Sequence, residues 1–120
     1  MSGSGQPPRS GHPRRTKEWI DQFTDDDRIR VRFTTQGGQV VYVMVQLECK
    51  VRGTWWACYR FDMHEGPHVH TKPWDPEQDR RLPTVVPDLA KALDATVNTI
   101  RDNWRDFRAR LEASKREADT

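Results

Sequence analysis

Three successive stretches in the middle of the chain alternate apolar and polar residues with the period of a β-strand. They cover residues 28–34, 39–51 and 54–62. Alternate side chains of a strand point to opposite faces, so this period gives each stretch one apolar and one polar face. Gly37-Gly38 and Arg52-Gly53 separate the stretches, and glycine is typical of hairpin turns. We therefore predict a three-stranded antiparallel meander.

The register of this meander should keep the apolar side chains on one face. A two-residue loop at Gly37-Gly38 would put Arg32 opposite Val43 and mix the two faces. We therefore expect three-residue loops at both turns, with the pairs Phe33–Val41, Val31–Val43, Val45–Tyr59 and Val43–Phe61.

The two faces predicted in this way differ in character. The apolar face carries Ile29, Val31, Phe33, Val41, Val43, Val45, Leu47, Trp55, Ala57, Tyr59 and Phe61. The other carries Arg28, Arg30, Arg32, Tyr42, Met44, Gln46, Trp56, Cys58, Arg60 and Asp62. Cations beside aromatic rings suit phosphate contact with base stacking. The predicted nucleic-acid-binding residues are Arg28, Arg30, Arg32, Trp56 and, from the next loop, Lys72. The face would equally suit a partner protein, or a helix could simply cover it.

Helical periodicity flanks the strands on both sides. Trp19, Ile20 and Phe23 share one side of a short helix predicted over residues 16–23. Apolar residues recur every three or four positions over residues 87–114, which predicts an amphipathic helix of about 42 Å. We expect its apolar stripe to pack on the sheet and its last turns to overhang the strands. A helix–helix seam in a homodimer is the alternative. The predicted class is α+β, in the order α-β-β-β-α.

Composition supports one domain with polar ends. Residues 1–15 are rich in Gly, Ser, Pro and Arg, so we predict a disordered basic tail, a single domain over residues 16–114 and a frayed tail over residues 115–120. The net charge of +2 does not by itself indicate nucleic-acid binding. Apolar runs are too short for a membrane span or a signal peptide, which predicts a cytoplasmic protein without membrane contact. Cys49 and Cys58 should be reduced, on opposite faces of the sheet.

Three of the four histidines follow the third strand. His64, His68 and His70 lie within seven residues, beside Asp62 and Arg60. Imidazoles near carboxylates can act as general acid and base, or they can bind a metal ion. His68 and His70 share a face if their segment is extended, and Gly66-Pro67 favours a turn that returns His64 toward them. A solvated loop with inert histidines would have the same composition.

The segment from Trp55 to His70 (WWACYRFDMHEGPHVH) also carries a resemblance. It resembles a group of small, largely uncharacterised bacterial and archaeal proteins in which a strand ending in Arg-(Tyr/Phe)-Asp runs into a His-Gly-x-x-His-like turn, with an amphipathic helix beyond. It is also distantly similar to TumE-type toxins of toxin–antitoxin systems. The resemblance implies an α+β protein that acts on RNA or on transcription and translation, with a cognate antitoxin as partner. Phe61 replaces the more usual Tyr, and Glu65 separates His64 from Gly66.

The sequence thus leads to a hypothesis and two alternatives. The hypothesis is a toxin-like, metal-independent ribonuclease without a cofactor. In it His64, His68 and His70 exchange protons with RNA, while Asp62 and Arg60 assist. The first alternative is a non-catalytic module that binds nucleic acid or protein. The second is a divalent metal held by His64, His68 and His70.

Overall fold

One antiparallel sheet and one long helix make up the fold. The structure is a computed structural model that describes residues 13–64, 66–86 and 88–118. The strands are β1 (Arg14–Thr24), β2 (Asp27–Gln36), β3 (Gln39–Val51), β4 (Thr54–Asp62), β5 (His68–His70) and β6 (Arg81–Pro83), and the helix is α1 (Leu89–Ala118). Neighbours in sequence are neighbours in the sheet, so the strand order is β1 to β6 without a crossover.

The predicted three-stranded meander with an N-terminal helix is wrong, although the fold is α+β. The segment predicted as the first helix lies in β1, which pairs with β2 from Arg14 to Gln22 without interruption. Glu18 stands opposite Arg32, and Thr16 and Thr34 share a hydrogen bond of 2.9 Å between their hydroxyls. These cross-strand contacts outweigh a helical signal that rested on only three apolar residues.

Both hairpins combine a two-residue turn with a β-bulge, so the predicted registers are wrong by two residues. Gln36 pairs with Gln39 across the Gly37-Gly38 turn, as in the loop that the sequence argument rejected. A bulge after Thr34 then shifts the register and places Phe33 opposite Val43. The extra residue restores the match between apolar faces that a three-residue loop was meant to provide.

In the second hairpin, the bulge exchanges the two faces of β4 for the residues between the bulge and the turn. The register shifts between Leu47 and Glu48, after which Trp56 pairs with Cys49 and Trp55 with Lys50. Trp56 and Cys58 therefore lie on the core side, and Trp55 lies on the other side, beside Arg28. The face assignments of Trp55, Trp56, Ala57 and Cys58 from strict alternation are wrong, because alternation does not continue through a bulge.

The two cysteines are free, as predicted, but for a different reason. Both are fully buried, and Cys58 is the bulge residue that reaches the same core as Cys49. Their predicted separation on opposite faces is wrong. A hydrogen bond with Cys58, together with burial, raises the pKa of the Cys49 thiol.

The helix packs on one face of the sheet, against β3 and β4. It begins at Leu89, after Asp88, whose carboxylate accepts hydrogen bonds from the backbone N–H groups of Ala90 and Lys91. The core is formed by Ile29, Val31, Val43, Val45, Leu47, Cys49, Cys58, Phe61, Ile100 and Leu111. The apolar stripe is thus used within the chain, which removes the basis for a helix–helix seam.

The last turns of α1 do not overhang the sheet, contrary to prediction. Leu111 is fully buried, Trp74 Nε1 donates to Ser114 Oγ at 3.2 Å, and the ammonium of Lys115 lies 3.4 Å from the centre of the Trp56 ring. Thirteen residues in β3 give a strand of about 43 Å, nearly as long as the 30-residue helix at about 45 Å.

The ends of the predicted domain fall near the ends of the described chain. β1 begins at Arg14 and α1 runs to Ala118, while most of the predicted basic tail, residues 1–12, lies outside the described residues. Within the described residues, no helix combines the length and the apolar character needed to cross a bilayer.

Candidate site on the open face of the sheet

The face of the sheet opposite α1, here called the open face, carries most of the charged side chains of β1 to β4. Glu18 binds Arg30 and Arg32, with shortest distances of 3.0 and 2.7 Å. Glu48 binds the Nε atoms of Arg28 and Arg30 at 2.7 and 2.9 Å. The arginine side of β2 therefore forms a ladder of ion pairs with its neighbours.

The electrostatics of this ladder favour the charged forms. Burial by itself raises the pKa of Glu48, but hydrogen bonds from Arg30, Arg28 and Gln46 outweigh it and leave that pKa below its ordinary value. A hydrogen bond from Arg32 lowers the pKa of Glu18. The arginines of β2 thus have carboxylate partners already, which reduces the positive potential they offer to a ligand.

A second group of polar side chains joins β3 to β4. Asp62 is 4% exposed and accepts hydrogen bonds from Arg60 Nη2 at 2.7 Å, from the Tyr42 hydroxyl at 3.3 Å and from the backbone N–H of His64 at 2.9 Å. Burial raises the pKa of this carboxyl, but these donors outweigh it and leave the pKa lowered. Asp62 therefore fixes the end of β4 as an ionised acceptor.

The third group is a chain of hydrogen bonds through two imidazoles. His68 Nδ1 lies 2.7 Å from the Gly66 carbonyl oxygen, and His68 Nε2 lies 2.9 Å from His70 Nε2. His70 Nδ1 lies 2.5 Å from Asp79 Oδ2, whose Oδ1 accepts the backbone N–H of Lys72. β5 pairs His68 with Asp62 and His70 with Arg60, so the chain lies on the open face.

The partners of the two rings determine where their protons are. The Gly66 carbonyl and the Asp79 carboxylate only accept, so both Nδ1 atoms carry protons. The contact between the two Nε2 atoms is then a hydrogen bond only if one of them also carries a proton. A hydrogen bond between the two rings therefore requires a proton on one Nε2 atom in addition to the two Nδ1 protons.

Some of the predicted site residues lie on the open face, and others do not. Arg60, Asp62, His68 and His70 lie together on the adjacent strands β4 and β5, and Arg28, Arg30 and Arg32 lie side by side on β2. The His64 side chain is exposed, and its backbone carbonyl accepts a hydrogen bond from Arg81. Glu65 lies outside the described residues.

Two of the predicted nucleic-acid-binding residues, Trp56 and Lys72, are not on the open face of β1 to β4. Trp56 packs on the core side under Lys115, so it is not part of the open face. Lys72 Nζ donates to Gln78 Oε1 at 3.2 Å, within the loop that also carries Asp79.

Sequence reasoning missed Trp55 and Asp79. The guanidinium of Arg28 lies 3.8 Å from the centre of the Trp55 ring and the ammonium of Lys50 lies 5.3 Å away, so Trp55 is the aromatic ring flanked by cations. Only the bulge decides which of two adjacent tryptophans faces outward. Asp79 is nine residues from His70 across a proline-containing loop, and no local pattern connects the two.

Among the described residues, no group of three His, Cys, Asp or Glu side chains is arranged to hold a metal ion. The convergence of His64, His68 and His70 that the metal alternative requires is not found, because His64 does not join the other two.

The fold and site define a small α+β protein with a six-stranded antiparallel meander, a helix on one face and charged side chains on the other. The chain belongs to the family described as DUF7718, a domain of unknown function, whose profile matches residues 14–117. No curated protein and no solved structure matches the chain. The relation to TumE-type toxins stays a prediction.

Proposed function

We propose that this protein is a cytoplasmic, non-catalytic module that binds single-stranded RNA on the open face of its sheet. The observation that carries the proposal is Trp55, a half-buried aromatic ring on the open face of the sheet with Arg28 and Lys50 beside it. Aromatic side chains on a sheet surface can stack with unpaired bases while nearby cations bind the phosphates. The cytoplasmic location is supported by two unbonded cysteines.

Charge on the open face supports an anionic partner. Cations of β2 to β4 outnumber the carboxylates that pair with them: Arg28, Arg30, Arg32, Lys50 and Arg60 stand with Glu18, Glu48 and Asp62. Phosphates can therefore approach without displacing every ion pair. Because most guanidiniums are already engaged, we expect moderate affinity that depends strongly on salt.

The geometry of the two imidazoles favours binding over cleavage. A ribonuclease that uses two imidazoles needs one to accept the 2′-hydroxyl proton and another to protonate the leaving oxygen. Here the Nε2 atoms of His68 and His70 contact each other, and His68 is 4% exposed. Both nitrogens are occupied, so the pair is better suited to hold β5 to Gly66 and to the loop that carries Asp79. The proposal does not extend to a toxin role or to a cognate antitoxin, since no contact among the residues that the structure describes favours them.

Binding to a fluorescent single-stranded RNA, followed by anisotropy at several salt concentrations, tests the proposal. Trp55→Ala should weaken binding by about 1–3 kcal/mol, the contribution of one stacked base. Lys50→Gln should weaken it and reduce the salt slope by about 0.7, the value for one phosphate contact on a single strand. Lys91→Gln is the matched control, because Lys91 is exposed on α1, on the opposite side of the sheet.

Three outcomes would contradict the proposal. No binding at low salt would remove it, and equal affinities for the parent, Trp55→Ala and Lys50→Gln would place any bound RNA elsewhere. Cleavage of the RNA by the purified protein, lost on His70→Ala, would restore the catalytic hypothesis.

A further inference from the structure

The two edges of the sheet differ in how they are protected. At one edge β6 has three residues and ends in Pro83, which has no N–H to donate. At the other edge β1 has 11 residues, contains no proline and pairs regularly with β2 as far as Gln22. A long, regular edge strand is a template for another strand, and proteins usually interrupt such edges. β1 is therefore the edge at which a further strand could be added to the sheet.

Large apolar side chains are exposed on β1. Trp19 is 43% exposed on the α1 side, where it contacts Phe33 edge to face, and Ile20 is 45% exposed on the open face. Beside Trp19, a cleft of about 370 Å³ separates β1 from the first half of α1. A strand added at this edge would cover apolar surface on both sides of the sheet.

From this edge we propose that two copies of the chain pair antiparallel through β1 and form one continuous twelve-stranded sheet. Two copies related by a twofold axis perpendicular to the sheet pair one residue of β1 with itself, and they keep both helices on the same side. This interaction goes beyond the proposed RNA binding and does not depend on it.

The charges of β1 select the residue on the axis. An axis at Glu18 would place two carboxylates opposite each other, and an axis at Lys17 would oppose two ammonium groups, which is unfavourable between directly paired positions. An axis at Trp19 pairs the two indoles and sets each Lys17 opposite the Asp21 of the second copy.

This register uses side chains that already share a face. Lys17, Trp19 and Asp21 stand opposite Phe33, Val31 and Ile29, so all three lie on the α1 side. Lys17 is exposed, and the Asp21 side chain is 37% exposed while bound to Arg101. A carboxylate has two oxygens, so Asp21 can bind Arg101 and the lysine of the second copy together.

Charge reversal in each of two variants tests the register. Multi-angle light scattering of the full chain should give twice 14.1 kDa for the parent. Lys17→Asp should be monomeric because four carboxylates meet at the interface, and Asp21→Lys should be monomeric because four ammonium groups meet there. An equal mixture of the two variants should dimerise again, since every pair in the mixed dimer is then Asp opposite Lys.

Controls separate assembly from folding and from RNA binding. Lys91→Asp reverses the charge of an exposed residue of α1, away from the β1 edge, and this variant should remain dimeric. Circular dichroism of Lys17→Asp and Asp21→Lys should match the parent. All masses are measured without RNA, so failure of either proposal leaves the other standing. A monomeric parent, dimeric single variants, or a mixture that stays monomeric would each overturn the β1 dimer.

Discussion

Arg108 Nη1 of α1 lies 2.6 Å from Oδ1 of Asp27, the first residue of β2. The same guanidinium donates to the backbone carbonyls of Asp26 and Lys50 at 3.2 and 2.9 Å. Asp27 also accepts a hydrogen bond from the Thr24 hydroxyl at 2.7 Å, and its side chain is 5% exposed. Burial lowers the pKa of Arg108, but Asp27 outweighs it and raises that pKa. One arginine thus joins the helix to the β1–β2 turn and the end of β3.

Removing this arginine should destabilise the protein strongly. Arg108→Ala leaves Asp27 as a buried charge without its cation, which typically costs about 3–5 kcal/mol. Chemical denaturation followed by circular dichroism measures the free energy of unfolding. The matched control is Arg105→Ala: Arg105 is exposed on the same helix, over the Trp104 ring, and its loss should cost less than about 1 kcal/mol. Equal losses for the two variants would contradict the role assigned to Arg108.

The helix shows where sequence reasoning succeeded and where it stopped. The period of its apolar residues indicated both the helix and its packing on the sheet, because burial of one stripe leaves a regular pattern. The sequence pattern of the arginines in its second half, beside acidic residues, is typical of one solvated face. Arg108 differs from them only through contacts with Asp27 and with two carbonyls far away in the chain, and no periodicity reports such contacts.

The ion pairs of Glu48 should make stability depend on pH in the acid range. Its pKa is lowered in the folded protein from an ordinary value of 4.5. A carboxylate with a lowered folded pKa contributes its full stabilisation above the unfolded value, and loses it as pH falls through the folded value. Thermal unfolding should therefore show a falling melting temperature below pH 4.5, with a shallower fall for Glu48→Gln. If the melting temperatures of the parent and of Glu48→Gln fall equally below pH 4.5, Glu48 does not cause the pH dependence.

The cysteine thiols should be unreactive in the native protein. Cys49 and Cys58 are fully buried, and the raised pKa of Cys49 disfavours its thiolate, which is the nucleophilic form. Ellman's reagent should release little colour from the folded chain and should titrate two thiols per chain in denaturant without reductant. A fast reaction in the folded protein would contradict their burial, and fewer than two thiols in denaturant would indicate a bond between them.

The open face was predictable in outline only. Alternation placed Arg28, Arg30 and Arg32 on one side of β2, where the strand is regular. The same rule failed at Trp55 and Trp56, because a single extra residue in β4 exchanges their faces. β5 and β6 have three residues each, too few for any periodic signal, so the sequence left open whether His68 and His70 lie in a strand or in a solvated loop.

The strand position of His68 and His70 changes what their substitution should do. A surface loop would tolerate alanine at all three histidines within about 0.5 kcal/mol. In the structure His68 is 4% exposed, and His68→Ala removes the partner of the Gly66 carbonyl and of the partly buried His70 Nε2, which should cost about 1–3 kcal/mol. His64→Ala is the matched control, because that side chain is exposed. Denaturation of both variants gives the comparison.

The hydrogen bond between these two rings can be tested by nitrogen-15 NMR spectroscopy. Nitrogen-15 spectra of histidine-labelled protein should show a proton on one of the two Nε2 atoms as well as on each Nδ1 atom of His68 and His70, with the His70 Nδ1 proton far downfield because it faces the Asp79 carboxylate at 2.5 Å. Asp79→Asn should move that resonance upfield and leave the His64 signals unchanged. Two neutral rings, one proton each, would leave two lone pairs facing each other at 2.9 Å, and that result would contradict the hydrogen-bonded chain.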